Sequence, residues 1–319
     1  MPEYTAQQNL YWDKMIKQSV IDQIKSIVDE KRVRFDEPMK NHTTFRIGGN
    51  ADVFVSIASE AEVKALVDML KSTETPYYII GNGSNLLVSD KGYRGVIIEI
   101  GRDYCGIRPD GNKLIVKAGT LLSKVSHYAF DHSLAGLEFA SGIPGTVGGA
   151  IIMNAGAYGG EMKQVAESVK VMQPSGEIVV LDNRAMEFEY RNSLAKKKGY
   201  IVLEATFLLL QADKKVIEGV MLDLATRRRE KQPLEYPSAG STFKRPTGYY
   251  AGKLIADSGL KGYCVGDAQV SEKHAGFLIN KGEATAADMY GLIKKVKAEV
   301  YDKMQVELEP EVIFLGDFE

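Results

Sequence analysis

Residues 136–162 read G-L-E-F-A-S-G-I-P-G-T-V-G-G-A-I-I-M-N-A-G-A-Y-G-G-E-M. Gly142, Gly145, Gly148, Gly149, Gly156, Gly159 and Gly160 are set among Ile143, Val147, Ile151, Ile152 and Met153. Glycine lets backbone pass close to a flat or charged ligand and tolerates positive φ. The interleaved aliphatics mark an ordered, buried segment, which a Gly/Ser linker is not. The chemistry that fits is a surface against a large planar cofactor; the bland alternative is a tight packing crossover with no ligand. No strand followed by G-x-G-x-x-G opens a helix here, so this is not the dinucleotide fingerprint. A second stretch, G-N-G-S-N-L-L at 81–87, directly follows the apolar run Tyr77–Ile80. Such a loop can turn successive backbone N–H groups one way and bind phosphate oxygens, although G-N-G-S also makes an ordinary turn. Cys105 and Cys264 have no metal-ligand spacing, and the four histidines, His42, His127, His132 and His274, are scattered. No metal site is expected.

The elements that must position these loops follow from periodicity. Ile16, Val20, Ile24 and Ile27 predict an amphipathic helix over residues 8–30 that braces the body. The stretch 41–50, N-H-T-T-F-R-I-G-G-N, then leads into an alternating strand with Val53, Val55 and Ile57. Ser59 and Glu62 form a capping box for a helix carrying Val63, Leu66, Val67 and Leu70. With the strand at Tyr77–Ile80 this is a β-α-β start, as in a small α/β subdomain. Strands at 95–100 and 114–117, a helix over 121–132, and strands at 169–172 and 178–181 joined by Pro174-Ser175-Gly176 follow. Tyr190-Arg-Asn-Ser193 is a polar interruption before a long apolar strand at 200–210, central in a sheet. A helix over 213–230 ends in Arg227-Arg-Arg229, cations that suit its C-terminus, and a domain boundary is placed near 230. Beyond it come a polar loop, P-S-A-G-S-T-F-K-R-P at 237–246, a helix over 251–258, and A-Q-V-S-E-K-H-A-G-F-L-I-N at 268–280. Thr285 with Asp288 caps a helix to Lys303, and residues 307–316 form a last strand holding a carboxylate beside Pro310.

The 319 residues suffice for two or three domains. The hydrophobic fraction, 45%, is that of a globular chain with a real core. Lys plus Arg number 40 and Asp plus Glu 42, a net charge of -2, which argues against a general nucleic-acid binder and leaves room for a local basic pocket. Two unpaired cysteines fit a reduced, cytoplasmic setting. No signal core and no run of membrane-spanning length are read, so no membrane insertion is expected.

In their order, G-N-G-S-N-L-L, S-G-I-P-G-T-V-G-G-A-I-I-M-N-A-G-A-Y-G-G-E, Y-R-N-S, A-G-S-T-F-K-R-P, A-Q-V-S-E-K-H-A-G-F-L-I-N and L-E-P-E-V-I-F-L-G resemble the UDP-N-acetylenolpyruvoylglucosamine reductases, the MurB flavoenzymes of bacterial peptidoglycan synthesis. The resemblance covers about residues 33–316. It implies an α+β chain: a two-subdomain FAD-binding region of the vanillyl-alcohol-oxidase/PCMH type, and a C-terminal α/β substrate lobe. The boundaries drawn are an N-terminal helical extension at 1–32, an FAD-binding domain at 33–230 with subdomains at about 33–102 and 103–230, and a substrate domain at 231–319. A longer class of the family carries an inserted tyrosine-bearing lid. There is no room for one between Arg191 and Tyr200 or between Gly259 and Asp267, so the chain looks like the shorter class.

The resemblance implies NADPH-dependent, FAD-mediated reduction of an enolpyruvyl ether to a lactyl ether, by a cytoplasmic monomer or weak oligomer with small-molecule partners only. FAD, held noncovalently, is expected on Gly81, Asn82, Gly83, Ser84, Asn85 and Leu86, and on Gly142, Pro144, Gly145, Thr146, Gly148, Gly149, Asn154 and Gly156. Arg191 matches the cation facing the substrate carboxylate, where a planar fork suits it; its bland reading is a surface loop arginine. Glu311 matches a second stabiliser. An ionised carboxylate would repel the developing charge, so it is expected to act as a neutral hydrogen-bond donor; Glu307 and Glu309 are its rivals. Ser241 matches the proton donor, with Thr242 and Ser238 as rival hydroxyls and Arg228, Lys231 or Lys244 as activating cations. Lys253, Gln269 and His274 are expected to line the substrate lobe with Arg228, Lys231 and Lys244. The alternatives are another FAD oxidase or dehydrogenase of this fold, with His127, His132 or Cys105 as covalent flavin attachment points, and a catalytically silent flavin- or nucleotide-sugar-binding protein.

Overall fold

A computed structural model describes residues 16–318, which divide into two compact units. The first takes the described residues through Phe35, then Asp52–Asn82 and Gly95–Ala225. The second takes Asp36–Ala51, Gly83–Arg94 and the chain from Thr226 onward.

In the first unit the helix Gln18–Ile27 buries Val20, Ile21 and Ile24. Residues 8–15 of the expected helix lie outside the described residues. At its other end the helix stops at Ile27 rather than at 30, because Val28 is extended and Asp29 caps a 3-10 turn at Glu30–Arg32. One sheet orders its strands Val33–Pro38, Asn50–Ser56, Tyr93–Glu99, Tyr77–Ile80. Tyr77–Ile80 runs parallel to Tyr93–Glu99, which lies between the two strands of the expected β-α-β unit. The helix Glu60–Ser72 buries Val63, Leu66, Val67 and Leu70 at helical spacing. Only half of the expected capping box forms. Ser59 Oγ accepts from Glu62 N–H at 3.2 Å, but the Glu62 carboxylate accepts from Ala58 N–H and takes both Arg32 nitrogens at 2.7 and 2.8 Å.

A second, antiparallel sheet orders its strands Ile178–Asp182, Ala166–Met172, Ile201–Leu208, Lys113–Lys117, Ile107–Asp110. The expected hairpin is its edge, with Gly176 at φ +84° in the turn. The strand expected over 200–210 is central as predicted but ends at Leu208. Residues 147–152 of the glycine-rich segment, for which no element was predicted, form the short helix Val147–Ile152.

In the second unit a sheet orders its strands Ser238–Ser241, Phe277–Asn280, Ala268–Val270, Cys264–Val265, all antiparallel. The helix Ala286–Met304 buries Met289, Leu292, Ile293, Val296 and Val300. Its N-terminus has a full capping box from Thr285 and Asp288, and the Asp90 carboxylate accepts from Ala286 and Ala287 N–H at 2.8 and 2.9 Å. The strand expected over 307–316 shrinks to Ile313–Leu315. Pro310 has no N–H for a ladder, and its segment makes one isolated bridge to Phe243.

The domain boundaries therefore differ from those drawn on the sequence. Residue 230 falls inside the helix Lys214–Lys231, and the units divide at Ala225/Thr226. The second unit also gathers 36–51 and 83–94, which were placed in the cofactor region. The reason is long-range packing: Phe45, Ile47 and Leu87 are buried in its apolar core, and Leu86–Val88 pairs in parallel with Ile313–Leu315.

Candidate functional site

In the first unit the strand Tyr77–Ile80 delivers Gly81 and Asn82 against the glycine-rich segment. A Cβ on Gly81 would collide with Thr146 Oγ1, and Asn82 Nδ2 donates to Pro144 O at 2.8 Å. Thr146 is buried and caps the helix Val147–Ile152 through Gly149 N–H. Gly148 is buried, its N–H on Ala118 O at 2.8 Å, whereas Gly142, Pro144 and Gly149 are exposed. In the second unit Gly83, at φ +58°, packs so tightly that a Cβ would strike His42 O, and Thr44 N–H donates to Gly83 O at 3.3 Å. Among the described residues no acceptor meets the backbone N–H of Asn82, Gly83 or Ser84. In the first unit the N–H of Asn82, after its strand, and in the second those of Gly83 and Ser84 are unpaired donors of the kind that phosphate oxygens take. Gly81 and Gly83 are each fixed by protein contacts of their own, and Gly149 leaves its face open. Leu86 is buried in its strand. Asn85 Nδ2 donates to Glu311 O at 3.0 Å.

Asn154, expected to touch the cofactor, is buried with its side chain bonded within the protein. Its side chain is 1% exposed; Nδ2 donates to Glu161 Oε2 (3.0 Å) and Glu189 O (3.1 Å), and Oδ1 accepts from Lys163 N–H (2.9 Å). Gly156 pairs with Glu161 in a two-stranded ribbon.

Arg191 is also carried by the first unit, at the tip of a tight turn between Glu189 and Asn192. Its backbone is left-handed, φ +55°, and its guanidinium lies over the Tyr190 ring at 5.0 Å. Glu189 beside it is held below the usual carboxylate range by its hydrogen bond to Lys197.

The second unit brings Ser241 and Glu311 onto neighbouring backbone. Glu311 N–H donates to Thr242 O at 2.8 Å, and Thr242 N–H to Gly276 O at 2.9 Å. Ser241 is exposed. Thr242 is 0% exposed, and its Oγ1 accepts from Leu278 N–H at 3.2 Å. Lys244 is ion-paired with Glu309, and Glu307 reaches Lys297 at 3.9 Å. His274 is half-buried, and its Nδ1 accepts from Gly276 N–H at 3.1 Å; burial pushes its pKa below the ordinary histidine value. Two of the expected substrate residues have polar groups engaged locally. Lys253 pairs with Asp257 at 2.6 Å on an exposed helix face. Gln269 Nε2 donates to Gly262 O within its own hairpin at 3.1 Å. Arg228 is buried in the helix Lys214–Lys231, whose last residue, Lys231, is exposed.

The second unit also holds an open cavity of about 690 Å³, lined by Lys40, Arg46, Tyr236 and Lys281 among others. It is roomy enough for a nucleotide-sized molecule. The stretch 41–50, Pro237 and Asn280 stood in segments noted in the sequence, whereas Glu235, Tyr236 and 281–283, which also line the cavity, gave no local signal. Among the described residues no cluster suits a metal ion, and no helix is long and apolar enough to cross a membrane. One short helix, Leu194–Lys198, lies between Arg191 and Tyr200, and only the strand Cys264–Val265 between Gly259 and Asp267, so neither place carries an inserted lid.

Comparison with known proteins adds the family. Residues 51–182 match the family model "FAD binding domain", and residues 232–315 match "UDP-N-acetylenolpyruvoylglucosamine reductase, C-terminal domain". The UDP-N-acetylenolpyruvoylglucosamine reductase of Clostridium novyi is 52% identical over 294 residues, 92% of this chain and 95% of that protein. The one from Caldanaerobacter subterraneus is 50% identical over 298 residues, 93% of this chain and 98% of that protein. The crystal structure of UDP-N-acetylenolpyruvylglucosamine reductase (MurB) from Thermus caldophilus superposes with a TM-score of 0.76 at 36% identity, covering 88% of this chain and 97% of that chain. The expected α+β class, an FAD-binding region followed by a C-terminal lobe, stands. With about half of its residues identical over nearly its whole length, this chain belongs to the UDP-N-acetylenolpyruvoylglucosamine reductase family.

Proposed function

We infer that this chain catalyses its family's reaction: UDP-N-acetylglucosamine enolpyruvate, NADPH and a proton give UDP-N-acetylmuramate and NADP⁺, in peptidoglycan precursor synthesis. The observation that carries this reading is an FAD-binding domain and a reductase C-terminal domain in one chain that is 52% identical to a named reductase. When bound, FAD would supply hydride-transfer chemistry between NADPH and the vinyl carbon distal to the substrate carboxylate.

The chain's own residues do the rest. The N–H groups of Asn82, Gly83 and Ser84 would hold diphosphate oxygens, and the open face of Gly149 would be free to take the planar ring. Arg191 grips the substrate carboxylate with its planar fork and stabilises charge as it builds there. Glu311, as a neutral acid, donates to the same group. Ser241 gives the proton to the carbon beside the carboxylate, because its hydroxyl is exposed where that of Thr242 is buried. Lys231 and His274 complete the substrate side. The reactants are a soluble nucleotide sugar and NADPH, which fits a cytoplasmic monomer or weak oligomer.

NADPH oxidation by the flavin-loaded protein, with and without the enolpyruvyl sugar, tests the reading. Turnover that requires the sugar and yields the lactyl ether supports it. Oxidation indifferent to the sugar, or flavin still attached to denatured protein, would point to another enzyme of this fold.

A further inference from the structure

Arg191 is the third residue of the turn Glu189-Tyr190-Arg191-Asn192, closed by Glu189 N–H on Asn192 O (3.0 Å) and Asn192 N–H on Glu189 O (3.1 Å). A left-handed non-glycine residue such as Arg191 persists where its surroundings over-determine it. Two buried side chains, one on each side of the turn's tip, supply that constraint. Asn154 Nδ2 donates to Glu189 O at 3.1 Å, before the tip. Ser193 Oγ donates to Ile152 O at 2.9 Å, after it. The first reaches from the glycine-rich segment to the turn, and the second from the turn back to the last residue of the helix Val147–Ile152. Asn154 is 1% and Ser193 0% exposed, so neither is available to a ligand. Asn154 is also anchored at its own end, through Glu161 and Lys163 N–H.

We propose that Asn154 and Ser193 are positioning residues for Arg191: they clasp its turn to the glycine-rich segment, so that the guanidinium keeps one fixed place relative to the bound ring. This rests on the reading of Arg191 given under Proposed function. Misplacing a catalytic group by about 1 Å can cost roughly 10²-fold, and a released turn is free to move by that much.

Asn154→Gly removes one half of the clasp on a backbone whose φ of +41° glycine accepts; it also frees Glu161 and Lys163 N–H, contacts that Ser193→Ala leaves in place. In the full-length holoenzyme it should slow reoxidation by the enolpyruvyl sugar roughly 10- to 100-fold and leave reduction by NADPH within about twofold. In an Arg191→Ala background it should add no more than about twofold, because it acts through Arg191. On flavin-free protein, calorimetry of the lactyl product should show affinity falling in Asn154→Gly about as far as in Arg191→Ala. Ser193→Ala should behave alike, and it carries the same measurements if Asn154→Gly does not accumulate as folded protein. Slowing that is additive with Arg191→Ala, or equal in the two half-reactions, or absent from both variants, overturns the clasp. If Arg191→Ala itself leaves reoxidation unchanged, the role of Arg191 falls and the clasp with it. If Arg191→Ala is slow and neither clasp variant is, the clasp alone falls.

Discussion

Ser241 and Thr242 are neighbouring hydroxyls with opposite fates. Successive side chains of an extended backbone turn to opposite sides. Thr242 points inward, where its Oγ1 takes Leu278 N–H, and Ser241 points outward. Ser241→Ala should therefore bind FAD and be reduced by NADPH normally, while reoxidation by the enolpyruvyl sugar slows about 10²–10⁴-fold. Ser241→Cys should recover part of that rate. Stopped-flow measurement of each half-reaction separates the steps, and unchanged reoxidation would remove Ser241 from the mechanism. Thr242→Val should do the reverse, lowering stability by about 1 kcal/mol with little change in either half-reaction. Arg191→Lys should fail to restore turnover, since a point charge lacks the bidentate fork. Glu311→Gln should keep part of the activity as a neutral donor, and Glu311→Ala should not. Steady-state rates for the pair decide this: equal, full activity in both would exclude Glu311.

At the scale of elements, the glycines of the cofactor loops divide into two kinds. Gly83 has a backbone carbonyl where its Cβ would go and a left-handed φ, so Gly83→Ala should unfold the loop and lose both stability and flavin. Gly149 lies in the helix Val147–Ile152 with only Thr146 Oγ1, at 3.7 Å, near its missing Cβ. Gly149→Ala should leave the flavin-free protein as stable or firmer by up to ~1 kcal/mol, from helix propensity. It should weaken FAD about tenfold or more if the ring lies against that face, by the clash of one methyl group. Thermal melts of the flavin-free variant and fluorescence titration with FAD test the two signs separately. A Gly149→Ala protein with wild-type FAD affinity would show that the open face is not the ring's.

At the scale of the molecule, His274 links the second unit to pH. Burial first, then the charge of Lys261, holds its pKa below the ordinary value of about 6.5. The folded protein therefore binds fewer protons at this ring than the unfolded chain does. Its contribution to stability is complete above about 6.5, and is lost as pH falls through that value toward the depressed folded one. His274→Asn keeps an acceptor for Gly276 N–H without titrating in this range. The thermal midpoint of the wild type should fall more steeply on acidification below about 6.5 than that of His274→Asn. Parallel curves would mean that His274 does not contribute to the pH dependence.

Local order was legible wherever it arises from neighbours in the chain. The helix at Glu60–Ser72 follows from apolar spacing and Ser59, the hairpin from Pro174-Ser175-Gly176, and the helix Ala286–Met304 from Thr285 and Asp288. The family itself followed from motif order. Tertiary structure alone decided what depends on distant partners. It drew 36–51 and 83–94 into the second unit, because Phe45, Ile47 and Leu87 find their apolar neighbours there. It buried Asn154, expected to touch the cofactor, and brought Glu189 O and Lys163 N–H within hydrogen-bond reach of its side chain. It kept Gln269 and Lys253 for local bonds, and it separated Ser241 from Thr242 by burial. A sequence states which groups a residue carries. Which of those groups is already satisfied depends on which backbone atoms the fold brings beside it, and that is set by the packing of segments far apart in the chain.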